Sequence, residues 1–291
     1  MARSSRNKDV RFAYTLISPT FLVIALLLGF PLVYALVQSF QHVSVYAPAG
    51  EFIGLDNYRE AFADPRFLQS VQRSFLFVAT SLVGAVMLGL VMALLLNRDI
   101  PFRRSLRALV LLPFIVSEVS VGVVWQWMFA PQLGVINWIL RFLSMPTVRW
   151  LSDPDLAMAS IILANTWRLT PFAVLILLAG LQSIDKNYYE AAYIDGGSHW
   201  QVFRMITIPL IKPMMLVSVV YLSFASFNQF AVIFSLTGGG PGRATEVMAL
   251  NMYRTAFQHF NWGYGSTLAV LLFLINVVLS LIYSKVFETR D

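Results

Sequence analysis

The chain has 291 residues, of which 58% are hydrophobic and 12% charged, and its mean hydropathy is +0.69. Soluble domains carry about 25% charged residues. This composition therefore excludes a soluble domain and indicates an integral membrane protein. No cysteine is present, which excludes disulfides and thiolate metal sites, and the three histidines are too far apart in sequence for us to expect a metal site.

Six apolar runs are long enough to predict transmembrane helices, and the expected fold is therefore an all-α polytopic membrane protein. The first run follows a cationic N-terminus and is too long for the apolar core of a signal peptide. In chain order the runs are 14–37, 75–96, 108–130, 156–181, 213–236 and 267–287.

The connecting segments predict little regular structure. Residues 41–73 are polar and are expected to form a loop, broken by Pro65, with a short interfacial helix. Residues 135–143 predict a second short helix in the interface, anchored by Trp138. Three further tryptophans lie near predicted outer helix ends, where interfacial anchoring explains them: Trp125, Trp127 and Trp262.

The distribution of positive charge predicts the topology. Six spans place both termini on one side, and thirteen of the 21 Lys and Arg residues fall on that side against seven on the other. By the positive-inside rule the termini are expected to be cytoplasmic. The net charge of +6 is then a topology signal, which excludes a nucleic-acid partner. The thirteen cations are Arg3, Arg6, Lys8, Arg11, Arg98, Arg103, Arg104, Arg107, Lys186, Arg204, Lys212, Lys285 and Arg290.

A polar island at residues 183–212 separates the fourth and fifth runs. It predicts a short helix over 185–195, capped by Ser183 or Asp185 and stopped by Gly196 and Gly197, and then a second helix from His199 to Pro209. Such a helix-turn-helix would present a compact projection on one side of the membrane. The residues alone equally allow an amphipathic connector lying on the membrane surface.

The island resembles the cytoplasmic "EAA" loop of ABC importer permeases. The resemblance rests on Glu190-Ala191-Ala192, followed at the expected spacing by Gly196, Ile206 and Pro209. Segments resembling those of sugar permeases precede and follow it in the right order, namely Gly54-Leu-Asp-Asn-Tyr58, Phe62-Ala-Asp-Pro-Arg-Phe67 and Thr237-Gly-Gly-Gly-Pro241. The resemblance covers nearly the whole chain and implies a type I importer permease with a MetI-like core. It divides the chain into residues 1–73 and a five-helix core, 74–291, that contains the coupling loop 183–212.

The resemblance also implies a function and partners. The chain would be a non-enzymatic permease of a bacterial plasma membrane, working by alternating access with a second permease, two ATP-binding subunits and an outer solute-binding protein. ATP and magnesium would be bound by the partner subunits. Coupling to those subunits is assigned to Glu190, Ala191, Ala192, Asp195, Gly196 and Gly197.

Apart from Lys285 at the end of the sixth run, Glu118 and Arg168 are the only full charges inside the apolar runs. A charge at the centre of a membrane helix costs about 2.5–3.5 kcal/mol on insertion scales, so neither is expected to be accidental. Both fall near the middle of their runs, which allows an ion pair between adjacent antiparallel helices. Two interpretations stay open: a structural lock between the third and fourth helices, or contact with a polar solute.

Further polar residues predict a carbohydrate site. Asn165, Arg168 and Phe172 are spaced i, i+3, i+7 and share one helix face, and Ser226 and Gln229 share another. The resemblance to maltose-type permeases implies a solute pocket formed by Asn165, Arg168, Leu169, Phe172, Ser226, Gln229 and, from the third run, Glu118. Four of these depart in kind from the maltose-type pattern: Glu118, Arg168, Leu169 and Ser226. A disaccharide such as trehalose or maltose is expected, an oligosaccharide or glycerol 3-phosphate is the alternative, and helix–helix hydrogen bonding would explain each residue structurally.

Two other classes of function compete with the importer. An ion-coupled secondary transporter could use Glu118 and Arg168 as a proton relay, although the internal repeats typical of that class are not evident. A membrane-embedded enzyme would need clustered catalytic acids or histidines, and the acids here are scattered. The glycine run at 238–242 is followed by Arg243-Ala-Thr rather than Lys-Ser/Thr, so it is not a phosphate-binding loop.

Overall fold

The computed structural model describes residues 14–287, which are helical apart from one β-hairpin and the connecting loops. Arg3, Arg6, Lys8, Arg11 and Arg290, which contribute to the predicted topology, lie outside the described residues. The elements are, in chain order, α1 Tyr14–Gln38, β1 Gln41–Ser44, β2 Ala47–Phe52, α2 Asp56–Ala63, α3 Pro65–Asn97, α4 Arg103–Ile115, α5 Glu118–Met128, α6 Val135–Phe142, α7 Pro154–Gln182, α8 Lys186–Ile194, α9 His199–Phe227, α10 Ala231–Leu236, α11 Met248–Tyr253 and α12 Trp262–Phe287.

The described part of the chain has five helices that are long and apolar enough to cross a membrane: α1, α3, α7, α9 and α12. A sixth span is formed if α4 and α5 are taken as one broken helix, bent by 102°. The prediction of six spans is therefore confirmed only with this bent pair. The expectation of one uninterrupted third helix over residues 108–130 is wrong.

The bend between α4 and α5 has a local cause. Pro113 lacks a backbone N–H, which weakens the end of α4, and Val116 is extended with a ψ of 133°. Ser117 then starts a new helix, its Oγ accepting a hydrogen bond from the backbone N–H of Ser120 at 3.3 Å. Glu118 is consequently the first residue of α5, not the middle of a straight helix.

The two spans that form the centre of the fold begin in the same way. Asp64 precedes Pro65 at the start of α3, and Asp153 precedes Pro154 at the start of α7. Each aspartate accepts hydrogen bonds from backbone N–H groups of the first turn, while proline occupies a position whose N–H would lack a helical partner. The Asp-Pro pairs therefore define where both helices start.

One compact unit comprises the described part of Met1–Ala63 together with Arg254–Leu271. The Ser39 carbonyl ties it together, accepting hydrogen bonds at 3.0 Å from both Asn57 Nδ2 and Thr267 Oγ1. The antiparallel hairpin of β1 and β2 follows, in the register Gln41↔Phe52. The expectation of a loop here was wrong, since hydropathy carries no signal for so short a polar hairpin.

The second unit comprises Asp64–Tyr253 and the described part of Leu272–Asp291. Its core is the close contact of α3 with α7, where a methyl group placed on Gly89 would come within 2.5 Å of the Ala173 Cβ. Small residues permit this approach, as is usual between membrane helices. The predicted division of the chain at residue 73 stays a prediction.

The helix α3 begins ten residues earlier than the predicted span of 75–96. Its first turns carry buried polar residues: Ser74 Oγ accepts a hydrogen bond from the backbone N–H of Met248 at 2.8 Å, and Ser70 lies 3.5 Å from Asn251 Nδ2. Since these turns are stabilised by hydrogen bonds and not by an apolar stripe, hydropathy alone could not detect them.

The helix α9 also differs from expectation. A helix ending at Pro209 and a separate span from Pro213 to Leu236 were predicted, whereas one helix passes through both prolines and ends at Phe227. A π-helical segment, Phe203–Thr207, lies immediately before Pro209, and a wider turn of this kind accommodates the missing N–H and the ring.

The short helix predicted for residues 135–143 is present as α6, on which Trp138 is exposed, and its position in the interface stays a prediction. Trp125, by contrast, is buried against Phe129 and Trp167, at ring distances of 5.4 and 5.9 Å. Its interpretation as an interfacial anchor is wrong, because a tryptophan enclosed by aromatic side chains has no access to headgroups.

A buried ion pair, not predicted from sequence, connects α3 to the loop before α11. Arg66 Nε and Nη2 donate to the two carboxylate oxygens of Glu246 at 2.8 and 3.2 Å. The side chain of Glu246 is fully buried and that of Arg66 is 22% exposed. Paired guanidinium and carboxylate groups are geometrically specific, so the contact fixes the loop on the helix.

We expect Glu246→Gln to destabilise the protein, because it leaves Arg66 without its charge partner. Removing one member of a buried pair costs about 3–5 kcal/mol, and the partial exposure of Arg66 reduces this to about 2–3 kcal/mol. The midpoint of thermal denaturation in detergent should fall markedly, whereas Glu60→Gln, at an exposed glutamate, should leave it unchanged. Equal midpoints for the two variants would contradict the stabilising role.

Candidate functional site

The polar island folds as predicted into a helix followed by a tight turn. Asp185 caps α8, its carboxylate accepting from the backbone N–H of Asn187 at 2.9 Å. The turn is left-handed at Gly196, with φ of +81°, and the N–H of Gly197 donates to the Ala192 carbonyl at 2.9 Å. Glycine takes this conformation without strain, which explains why the helix stops there.

The second helix starts immediately after the turn. Ser198 and Gln201 form a capping box, in which the Ser198 N–H donates to Gln201 Oε1 at 2.8 Å. Because α9 continues to Phe227, the turn is attached rigidly to a membrane span. A displacement of the turn would therefore be transmitted along α9.

The surface of this helix-turn-helix is open and partly apolar. Ile194 is 85% exposed and Trp200 is also exposed, although both are large hydrophobic residues. Exposed apolar groups of this size are available for contact with a protein or with a membrane surface. Glu190 is exposed and makes no hydrogen bond or ion pair with the residues that the structure describes.

Two adjoining clefts run along the same surface, with volumes of about 550 and 400 Å³. Alanine side chains are small enough to leave these grooves open between the helices. Five of the six residues predicted for coupling line one or both clefts: Ala191, Ala192, Asp195, Gly196 and Gly197.

The predicted solute residues divide into two groups. Asn165, Leu169, Ser226 and Gln229 are enclosed within the chain, and the Asn165 Nδ2 donates to Ser226 Oγ at 3.1 Å. Gln229 Oε1 accepts from the backbone N–H of Val232 at 3.3 Å, while its Nε2 and the Asn165 Oδ1 have no hydrogen-bond partner among residues 14–287. The bond between Asn165 and Ser226 connects α7 to α9.

The second group reaches the surface of the chain. Arg168 on α7 is paired with Glu118 at the start of α5, with Nη1 and Oε1 3.0 Å apart. The Arg168 side chain is 13% exposed and the Glu118 side chain 47%. The pairing allowed by the sequence is thus present, across the bend in the third span.

Arg168 keeps unused hydrogen-bonding capacity. Its Nε and Nη2 atoms are buried and have no hydrogen-bond partner in the described structure. These two donors point from the same edge of a planar guanidinium, which matches two neighbouring oxygen atoms on a ligand. An unpaired pair of buried donors in a protein calls for an explanation, and a ligand that binds there supplies one.

Aromatic rings lie one turn of α7 from Arg168. Phe172, one turn along α7 from Arg168, stacks on Tyr221 of α9 with ring centroids 3.8 Å apart, and Phe114 of α4 lies 6.3 Å away from Phe172. Tyr221 and Phe114 were not predicted, because they lie within apolar runs where an aromatic residue gives no distinguishing signal. Among residues 14–287, His, Asp and Glu side chains form no group of three placed to hold a metal.

Comparisons with known proteins agree with this geometry. The sequence model of the binding-protein-dependent transport system inner membrane component family matches residues 85–288. The trehalose/maltose transport system permease protein MalF of Thermococcus litoralis is 36% identical, over 98% of this chain and 96% of its own. The sulfoquinovosyl glycerol transport system permease protein SmoG of Agrobacterium fabrum is 32% identical, over 97% of this chain and 92% of its own.

Solved structures confirm the predicted fold class. A chain of a bacterial alginate ABC transporter superposes with a TM-score of 0.83 at 22% identity, covering 98% of both chains. A chain of the MetNI methionine ABC transporter gives a TM-score of 0.55 at 17% identity, over 76% of this chain and 94% of its own. On the family match and these relatives, the chain belongs to the binding-protein-dependent transport system inner membrane components, the permease subunits of ABC transporters.

Proposed function

We propose that this chain is the permease subunit of an ATP-driven importer that moves a carbohydrate, a disaccharide such as trehalose or maltose, by alternating access. The observation that carries the proposal is the unpaired Nε–Nη2 edge of Arg168 beside the stacked rings of Phe172 and Tyr221. Sugars present neighbouring hydroxyl oxygens on their edges and C–H groups on their faces. A donor fork next to aromatic rings is complementary to both.

The balance of charge favours a neutral sugar. Glu118 neutralises Arg168, so the site has no net charge from this pair. Nearly half of the Glu118 side chain is exposed and its carboxylate can accept hydrogen bonds from sugar hydroxyls. Glycerol 3-phosphate or another anionic solute would need Glu118 to move away from Arg168.

The enclosed residues have a different part in this proposal. Asn165, Leu169, Ser226 and Gln229 contact the solute only when α7 and α9 separate during the transport cycle. The unpaired Asn165 Oδ1 and Gln229 Nε2 then become available to the solute, as do the Arg168 donors, because all of these atoms are covered in the described state.

The helix-turn-helix is proposed as the contact with an ATP-binding subunit. Glu190 supplies an exposed negative charge, Ala191, Ala192, Asp195 and Gly197 shape the clefts, and Gly196 is the turn that positions them. ATP and magnesium are bound by two such partners. A second, related permease and an outer solute-binding protein complete the assembly.

The protein is a multi-pass membrane protein, and we place both termini in the cytoplasm of a bacterial cell. This orientation rests on the excess of Lys and Arg on the side that carries the termini and the helix-turn-helix of residues 183–212, which we call the Glu190 turn. It also places the turn where ATP is available.

Uptake by proteoliposomes containing the chain and its co-purified subunits tests the proposed function. Radiolabelled trehalose and maltose should accumulate only when ATP is present on the side of the Glu190 turn. Accumulation driven by a proton gradient without ATP would instead support an ion-coupled transporter. Conversion of the sugar into a new product would indicate an enzyme.

We expect Glu190→Ala to leave the protein folded and inserted but to weaken association with the ATP-binding subunit greatly. Loss of a charged group at a protein contact typically weakens binding by about tenfold or more. Co-purification of the ATPase with the tagged permease measures the effect. Glu51→Ala, at an exposed glutamate on β2, is the control, and an assembly unchanged in both variants would remove Glu190 from the contact.

A second prediction separates the two interpretations of the Glu118–Arg168 pair. Arg168→Gln should raise the KM for sugar uptake by about tenfold or more. The reason is that the neutral amide of glutamine replaces the two charged donors, Nε and Nη2, that Arg168 offers to the solute. The double variant Glu118→Gln/Arg168→Met replaces the pair with neutral side chains of similar length. If Arg168 binds the solute, uptake stays low in the double variant, whereas recovery of normal uptake would show that the pair is only a structural lock.

A further inference from the structure

A second polar link joins the third and fourth spans at the end nearest α8. Gln182 is the last residue of α7, and its amide lies against two arginines in the first turns of α4, Arg103 and Arg107. Both arginine groups are donors, so only the amide oxygen can accept from them. In that orientation the oxygen lies 2.7 Å from Arg107 Nη2 and 3.1 Å from Arg103 Nη2.

The arginines are themselves held in place. Arg103 Nε donates to the Leu96 carbonyl at the end of α3 at 2.7 Å, and Arg103 Nη1 lies 3.4 Å from the Asp99 carboxylate. Within the described part of the chain, Arg107 Nε is buried without a hydrogen-bond partner, so the bond to Gln182 is the polar contact that fixes this guanidinium. A single amide oxygen therefore joins the end of α7 to the start of α4.

Apolar packing does not replace this link. Next to it lies a cleft of about 240 Å³ between α4 and α7, lined by Leu111, Leu175, Leu178 and Arg107 among others. Side chains that line such a gap lack packing partners on one side, so the two helices are less tightly packed at this end. The hydrogen bonds to Gln182 are the polar contacts that connect α4 to α7 here.

The position of Gln182 gives the link its significance. Only three residues separate it from α8, because Asp185 is already the cap of that helix. On the other side, α4 leads directly to the bend and to Glu118, which pairs with Arg168. A displacement of α8 can thus pass through Gln182 to α4 and on to the start of α5.

We propose that Gln182 is a positioning residue that makes α4 move with α8, so that events at the Glu190 turn reach the Glu118–Arg168 pair. This inference rests on the proposed function, in which α8 contacts an ATP-binding subunit. Gln182 does not touch the solute. Its role is to transmit a displacement of α8, through the end of α7, to α4.

Spin-label distances between α4 and α8 test the link directly. The chain has no cysteine, so Ser105→Cys and Lys186→Cys, both at exposed positions, label the two helices specifically in the full-length protein with its co-purified subunits. With Gln182 present we expect one narrow distance distribution that ATP with vanadate leaves unchanged. In Gln182→Leu, which lacks a hydrogen-bond acceptor, the distribution of label distances should broaden. Adding ATP with vanadate should also shift its mean distance by more than the width of the distribution measured with Gln182 present.

Two further variants separate the link from general effects of charge or stability. Gln182→Glu retains an acceptor for both arginines and should restore the narrow distribution. Arg104→Gln removes an exposed charge next to Arg103 and should have no effect. A distribution in Gln182→Leu identical to the original with and without nucleotide would overturn the proposal, as would an equal effect of Arg104→Gln or a nucleotide-dependent shift with Gln182 intact.

Failure of the proposed function is distinguishable from failure of the link. If no ATP-binding subunit co-purifies, the importer is excluded, and the widths of the nucleotide-free distributions still test the link. Broadening in Gln182→Leu then supports it, and equal widths overturn it.

Discussion

The lipid bilayer requires that backbone polar groups be satisfied within the protein, and the positions where the helices stop are therefore the costly ones. Three of the helix ends in the described part of the second unit are examples: those between α4 and α5, between α8 and α9, and after Phe227. Each has local chemistry that compensates for it, such as the Ser117 cap or the left-handed turn at Gly196. The candidate functional groups lie at these interruptions or beside them.

The bend of the third span shows how structure and function coincide. A straight helix would bury Glu118 in the middle of a span, at a large free-energy cost. By starting α5 at Glu118, the fold places this carboxylate near the positive end of a helix, where the helix dipole stabilises negative charge. The ion pair with Glu118 then compensates for the charge of Arg168. Two Arg168 donors, Nε and Nη2, stay without a partner in the described structure.

The polar contacts of the third span also define its connection to the rest of the unit. Glu118 joins it to α7 at one end of α5, and Arg103 and Arg107 join it to Gln182 at the start of α4. Phe114 contacts Phe172 between these two points. Motion at either polar end would reach the aromatic group, which is where the proposed solute binds.

Much of this arrangement could be predicted from sequence because its signals are local. The Asp185 cap, the Gly196 turn and the number of apolar runs follow from backbone chemistry and from the cost of placing charges in lipid. The hairpin of β1 and β2, the bend at Val116 and the continuation of α9 through Pro209 and Pro213 could not, since they depend on tertiary contacts or on how a helix accommodates proline.

The candidate site shows the same division. Periodicity placed Asn165, Arg168 and Phe172 on one face of a helix, but it could not show that Asn165 bonds to Ser226 while Arg168 pairs with the partly exposed Glu118. The ring of Tyr221 is part of the site only because α9 packs beside α7. Burial is a property of the folded unit, and the spacing of residues within one helix does not determine it.

Purification of the tagged chain from its native membrane, followed by mass spectrometry of the proteins and sugars that accompany it, tests the central claim most directly. The proposed importer predicts recovery of a second six-span permease, an ATP-binding subunit, an outer solute-binding protein and a bound sugar. Recovery of the chain alone, with solute transport in vesicles driven by a proton gradient, would contradict it.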